Sequence, residues 1–329
     1  MHTIGIDFGT TKTLVSRIKA KTGEAETVRL GQGKDHISTS VFIANNGEMC
    51  FGDDADDRIS DPDGTYLRGF KMHLGRSTPE LSIADEEGEL ISYTAADIIT
   101  HYLRYIRQRV QETVFAGQPV THVTITRPVN FTAAPCDELL KAALNAGFEH
   151  VELTTEPEAA GLAFCRLNDA EAFRHSALIV DWGGGTLDFA LVTRENDRIV
   201  THPHLTDGDM TLGGDLFDQQ LWEFAKNELL KQGISELDHI TAMPIVRKNK
   251  EKLSSMATAT MRFPHGQGTC PPISLTRDFF NQLIEKHVEK AADKIMRLLE
   301  KVPQEDKPIS SWLRIAAEEK LKKEADEEG

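Results

Sequence analysis

The chain has 329 residues, with 52 Asp plus Glu against 37 Lys plus Arg, a formal charge of −15. Its 40% hydrophobic and 27% charged residues describe a soluble chain able to bury a core, long enough at roughly 150 residues per domain for about two domains. The acidic balance argues against a general binder of nucleic acid or anionic membrane, both of which attract surplus Lys and Arg. Met1–Thr13 lacks the basic-then-apolar pattern of a signal peptide, and no stretch approaches the ~18 apolar residues of a membrane span. Cys50, Cys136, Cys165 and Cys270 lie far apart with no C-x-x-C, which predicts buried free thiols in a reducing cytoplasm. His202 and His204 flank Pro203, but no Cys or carboxylate cluster at ligand spacing accompanies them.

In chain order, the first element is one half of a duplication. Ile4–Val15 runs from an apolar strand ending in Asp7, through Gly9-Thr10-Thr11, into a second apolar strand; Leu178–Val192 repeats this with Asp181, Gly183-Gly184-Gly185-Thr186 and Asp188. Each copy has a hairpin signature, and together they predict two related lobes. Residues 37–93 read as short strands and turns. Tyr93–Val114 reads as an amphipathic helix with Thr94 as N-cap and Asp97 three residues on. A strand over Val120–Arg127 stops at Pro128; a helix over Cys136–Ala146 closes at Gly147; a strand over His150–Thr154 leads through Glu156-Pro157 into a helix from about Glu158. Alternating strands and helices predict an α/β layered sheet.

After the second hairpin come the turn Leu212-Gly213-Gly214-Asp215, a helix over Leu216–Lys231, a largely helical stretch through Leu253 and a strand pair within Thr258–Leu275. Thr276 caps a long final helix with Leu283, Val288, Ala292 and Ile295 on one face. From Pro303 the texture becomes a charged tail, read as a solvated helix or disorder.

A tight Gly/Thr turn at a strand end offers the clustered N–H and hydroxyl donors that a phosphate oxygen needs. Neither turn is a Walker A loop, and neither is a Rossmann turn, because each continues into a strand. One alone is weak evidence; two in related lobes make a phosphate clamp, with Asp7 and Asp181 placed to hold a hydrated Mg²⁺ through water.

These residues resemble the nucleotide-binding domain of the seventy-kilodalton heat-shock chaperones, in the actin, hexokinase and heat-shock superfamily. Ile6-Asp7-Phe8-Gly9-Thr10-Thr11 is similar to that family's first phosphate motif and Val180–Asp188 to its second. Phe70–Arg76 resembles the segment with the catalytic Lys, Thr126–Phe131 a strand ending in a coupling Pro, Glu156–Gly161 the connecting motif and Leu212–Asp218 the turn opening the second lobe's insertion. The resemblance implies a two-lobed actin-like ATPase fold with ribonuclease-H-like lobes. Lobe I would span 1–170, with a small insertion at 37–93; lobe II would span 171–302, with its insertion at 213–302; a tail would occupy 303–329.

It also implies site roles and the cofactors ATP or ADP and Mg²⁺. Lys71 would orient the water that attacks the γ-phosphate. Glu156 and Asp181 would arrange metal-bound and attacking waters, Asp7 would join the metal's outer shell, and Asp188 would support the water network. Gly9, Thr10, Thr11, Lys12, Gly183, Gly184, Gly185, Thr186, Gly213 and Gly214 would surround the phosphates. Arg127 and Pro128 would transmit nucleotide state. Arg247–Ser255 resembles the helix embracing the adenosine: Lys250 and Ser254 match, whereas Arg247 stands where the family has Glu and Glu251 where it has Arg. Either a reversed-charge pair preserving a salt bridge across the site or a lower nucleotide affinity is expected there. After Val302 the family's next strand and Gly-Gly-Ser-x-Arg turn do not follow, so the second sheet is expected to lack strands, and either a partner or a second copy covers that face or the protein is marginally stable. The leading reading is a Mg²⁺-ATPase without a substrate-binding domain; the alternatives are a non-catalytic nucleotide-responsive module and an actin-like or sugar-kinase relative.

Overall fold

The computed structural model describes residues 2–30, 33–84, 90–167, 176–195, 198–235, 237–266 and 268–302. The charged tail therefore lies outside the described residues, as do the side chains of Cys165 and Pro203.

Lobe I begins with β1 (His2–Phe8), β2 (Lys12–Ile18) and β3 (Ala25–Val28), joined as antiparallel neighbours. Residues 37–93 hold β4 (Ile37–Ser38), β5 (Ser40–Ala44), β6 (Met49–Phe51), α1 (Asp53–Asp56), β7 (Gly64–Arg68), a 3₁₀ turn at Phe70–His73, β8 (Leu81–Ala84) and β9 (Leu90–Tyr93). Then follow α2 (Ala95–Val114), β10 (Val120–Arg127), α3 (Ala133–Asn145), β11 (His150–Thr155) and α4 (Glu156–Leu167). The main sheet runs β11-β10-β1-β2-β3, with β10 parallel to both β1 and β11.

Alternation places Ile4, Ile6 and Phe8 of β1 beside Val123 and Ile125 of β10, and α2 lays Ile98, Ile99, Tyr102, Leu103 and Ile106 onto them. Tyr102 is the centre of an aromatic group, with ring centroids 6.0 Å from Phe8, 5.9 Å from Phe51 and 6.1 Å from Phe70. The expected N-cap is a full capping box: Thr94 accepts from the Asp97 backbone N–H, and Asp97 accepts from that of Thr94. The helix predicted from Cys136 starts three residues earlier, because Pro135 sits in the first turn, where no intrahelical N–H is needed. Among the described side chains, Cys50 and Cys136 are half-buried and Cys270 is buried, which corrects the uniform burial expected of the thiols.

Lobe II opens with β12 (Ser176–Trp182), β13 (Leu187–Glu195) and β14 (Arg198–Asp209), an antiparallel meander. The sequence reading missed β14, where two His and a Pro interrupt the apolar alternation. Then come α5 (Gly214–Lys231), α6 (His239–Lys252), β15 (Thr258–Met261), β16 (Pro264–His265), β17 (Gly268–Thr269), β18 (Ile273–Thr276) and α7 (Arg277–Glu300). Thr276 caps α7 as expected, accepting from Phe279 N–H. Leu298 and Ala291 of α7 join Leu187 and Phe189 of β13 in one small core, while α5, α6 and β15–β18 bury another around Leu221, Trp222, Val246 and Met261. Among the described residues this sheet has three strands, and β12 pairs with β13 alone.

Candidate functional site

The two hairpins close in the same way. Gly9 N–H donates to Lys12 O at 3.1 Å, and Gly183 N–H donates to Thr186 O at 2.9 Å. The turns also touch across the lobes. A Cβ built on Gly185 would lie 2.8 Å from Thr10 Cγ2, and one on Gly184 would collide with Thr11. Behind the second turn, Gly214 N–H donates to Gly183 O at 3.0 Å and Asp215 N–H to Gly184 O at 2.7 Å. A Cβ on Gly213 would strike Gly184 O. The first turn of α5 thus fixes the backbone of the lobe II turn, which explains why two glycines precede Asp215.

Lys71 stands at the cleft floor. Gly69, at φ 72°, starts the 3₁₀ turn that carries it, and Phe70 anchors that turn in the lobe I core. Lys71 is 1% exposed; its Nζ donates to Phe8 O and to Glu156 Oε1, the latter at 2.6 Å. A buried ammonium persists only when so paired. Glu156, the first residue of α4, is itself buried. Asp7 is held by Thr126, whose hydroxyl donates to Asp7 Oδ1 at 2.8 Å while accepting from Phe8 N–H at 3.0 Å. The sequence reading placed Thr126 inside a recognised segment but gave it no role.

Burial, then the nearby charges of Glu156 and Asp7, pushes the Asp181 carboxyl up to about 6 against the pull of Lys71. Asp188 is also pushed to about 6, by burial and then Glu156. Its Oδ1 accepts from Val129 N–H at 3.1 Å, joining lobe II to the segment that follows β10, and its Oδ2 is buried without a partner. Pro128 is buried in that segment, and Arg127 Nη1 donates to the Pro128 carbonyl at 3.1 Å. Thr186 is buried beside this group.

Farther along the cleft, Arg247 and Lys250 of α6 face α5. Arg247 pairs with Asp218 at 3.1 Å and Asp215 at 3.2 Å. Lys250 lies 2.7 Å from Asp218 and donates to Gly214 O at 2.7 Å. The expected pairing of Arg247 with Glu251 is replaced by this one: the fully buried Asp218 collects both cations, and Glu251 is exposed. Burial pushes the Asp218 carboxyl up by more than the two cations pull it down. Ser254 is exposed in the turn after α6, and Lys12 is exposed at the start of β2.

Asp7, Glu156, Asp181 and Asp188 converge around a single ammonium, with one carboxylate oxygen left over. Such an oxygen-rich, electron-rich set suits a hard cation. No group of three described His, Cys, Asp or Glu residues is arranged as direct metal ligands. The buried, unpartnered Asp188 Oδ2 in this acidic group fits an outer-shell partner of a hydrated Mg²⁺.

Two lobes, each presenting an Asp-led Gly/Thr turn to a shared cleft, define the class of actin-like nucleotide-binding folds. The model of the Hsp70 protein family matches residues 3–311, and the chain belongs to that family. It is 29% identical over 307 residues to a chaperone protein HscA homolog from Bordetella petrii, covering 88% of this chain and 48% of that protein. It is 29% identical over 313 residues to the HscA homolog of Methylococcus capsulatus, covering 90% and 49%. It is 27% identical over 298 residues to the chaperone protein DnaK of Thermosipho africanus, covering 88% and 48%. The chain thus spans about half the length of the curated relatives it matches. Membership supports the chaperone branch over the sugar-kinase alternative and implies nucleotide binding. No helix of the described residues is long and apolar enough to cross a membrane.

Proposed function

We propose that the chain binds Mg²⁺-ATP between the two turns and hydrolyses it to ADP and phosphate, as a heat-shock-chaperone-like nucleotide-binding protein. The observation that carries this reading is Lys71, buried and held by Phe8 O and Glu156 at the point where the lobes meet. Backbone N–H groups and hydroxyls of Gly9–Thr11 and Gly183–Thr186 bind phosphate oxygens from both sides. Lys71, fixed rather than mobile, orients the attacking water, and Glu156, its partner, is placed to accept a hydrogen bond from it. Asp7, Asp181 and Asp188 would hold the magnesium through its waters. The ion would supply charge neutralisation of the phosphates. Lys250 steadies Gly214 and, through it, the second turn.

Exposed Val180 and Trp182 on β12 of lobe II, and Leu162 and Phe164 on α4 of lobe I, support a protein partner or a second copy over these two elements. Calorimetry with Mg²⁺-ATP tests binding, and phosphate release tests hydrolysis. Lys71→Ala is expected to lower turnover on the order of a hundredfold while ATP still binds. Unchanged turnover would remove Lys71 from the mechanism. The Arg247–Asp218–Lys250 cluster favours a second reading, a module that binds nucleotide without hydrolysing it, because cations facing the nucleoside end are already engaged by α5. ATP binding with no phosphate release from the parent chain selects that reading.

A further inference from the structure

A second cavity lies in lobe I, between α2 and the β5–β6 hairpin. It is a hollow of about 530 Å³ that opens to solvent, and neither turn, nor Lys71, nor Glu156 lines it. The volume falls within the range of small-molecule sites. Its wall combines the rings of Phe51, Tyr93 and Tyr105 with the polar groups of His101, Arg104 and Gln108.

Arg104 gives the cavity its character. Its Nη2 donates to Asn145 O at 2.9 Å and its Nη1 to His101 Nδ1 at 3.3 Å, both neutral acceptors. Among the described residues it makes no ion pair, and the carboxylates near it are Asp54, in the same wall, and Asp97, whose charge partly offsets that of Arg104 at His101. A guanidinium can only donate, so Nδ1 of His101 is the acceptor and the ring proton sits on Nε2. Burial, helped by the Arg104 charge, holds His101 below its ordinary value and therefore neutral at pH 7. Opposite these donors stands Asp54, which also lines the cavity and disfavours a second negative charge on any occupant. The aromatic walls accept a flat apolar body, because ring pairs gain from stacked and edge contacts.

We propose that this cavity binds a small planar aromatic monocarboxylate, with its ring among Phe51, Tyr93 and Tyr105, its carboxylate on Arg104, and His101 Nε2–H and the Gln108 amide as further donors.

The test is calorimetry on the full chain with 2-naphthoate, 2-naphthamide and 2-naphthyl phosphate. Naphthoate is expected to bind with one-to-one stoichiometry, and the uncharged amide about tenfold or more weakly, the difference of one charge-assisted hydrogen bond. The dianionic phosphate is expected to be weaker than the carboxylate because of Asp54. Arg104→Gln should bring naphthoate down to the affinity of the amide. Gln108→Glu, at an exposed position that leaves Arg104 and Asn145 together, should weaken naphthoate about tenfold through an added like charge. The proposal is overturned by absence of binding at millimolar naphthoate, by equal affinities for naphthoate and naphthamide, or by Gln108→Glu binding naphthoate as the parent does.

Discussion

Lobe I and lobe II present the same hairpin and support it in different ways. In lobe I, β1 has β10 on one side and β2 on the other, and one continuous core runs from Ile4 to Phe148 beneath α2. In lobe II, the matching strand β12 has only β13 as a described partner, and the apolar side chains around the meander divide into small groups. Val180 and Trp182 are 42% and 36% exposed, whereas Ile6 and Phe8 at the corresponding end of β1 are 1% and 0% exposed. The duplicated sequence thus specifies the turn, but the neighbours of the strand decide how firmly the turn is held. In lobe II that support comes from behind, through the first turn of α5 and the Lys250–Asp218 pair.

The comparison is sharpest in the cores. Ile125→Ala, in the middle of the buried lobe I sheet, should destabilise by about 3–4 kcal/mol in denaturant unfolding. Asp218→Ala comes next, at about 2 kcal/mol, less than a fully buried pair because Arg247 and Lys250 keep some contact with water. It should also loosen the Gly183–Gly185 turn, seen as faster amide exchange at Gly214 and Asp215 with no change at Gly9. Equal exchange in both turns would break the claim that α5 supports one of them.

The acids supply a pH signature. In the folded protein Asp181 and Asp188 take up protons near pH 6, above the ordinary carboxylate value of 3.8. Between those values the folded state holds more protons than the unfolded one, so these two groups lower the stability of the free protein as pH rises through that window. Magnesium-nucleotide favours the ionised forms, so its affinity should rise over the same window. Asp181→Asn should flatten its part of both trends, read from melting midpoints and calorimetry on either side of about pH 6. A melting profile unaltered by Asp181→Asn would contradict the shift. Thr94→Ala should cost about 1 kcal/mol through loss of the capping box that starts α2. Smallest of all, Val180→Ala at the open side of β12 should change stability by less than about 0.5 kcal/mol. A cost near that of Ile125→Ala would show that β12 is covered in solution.

Much of this organisation is visible in the sequence, and the gaps have physical causes. Both hairpins, the Thr94 and Thr276 caps and the helical face of α2 follow from local spacing. The twelve residues of β14 did not declare themselves, because Pro203 and its flanking histidines obscure the period of two on which a strand is recognised. The Lys71–Glu156 pair joins residues 85 positions apart and arises only when β1, the 3₁₀ turn and α4 meet. The family resemblance pairs Arg247 with Glu251 because the two charges are exchanged between those positions. The fold instead offers Asp218, 29 residues away on another helix, and a buried acid outcompetes an exposed one for a cation.

The contact between Thr10–Thr11 and Gly184–Gly185 makes these two glycines a gauge of how far the cleft is shut. With no side chain, they let one lobe rest directly on the other; any residue larger than glycine becomes a wedge one methyl group thick. A single added carbon at position 184 would land on Thr11 and push the two turns apart.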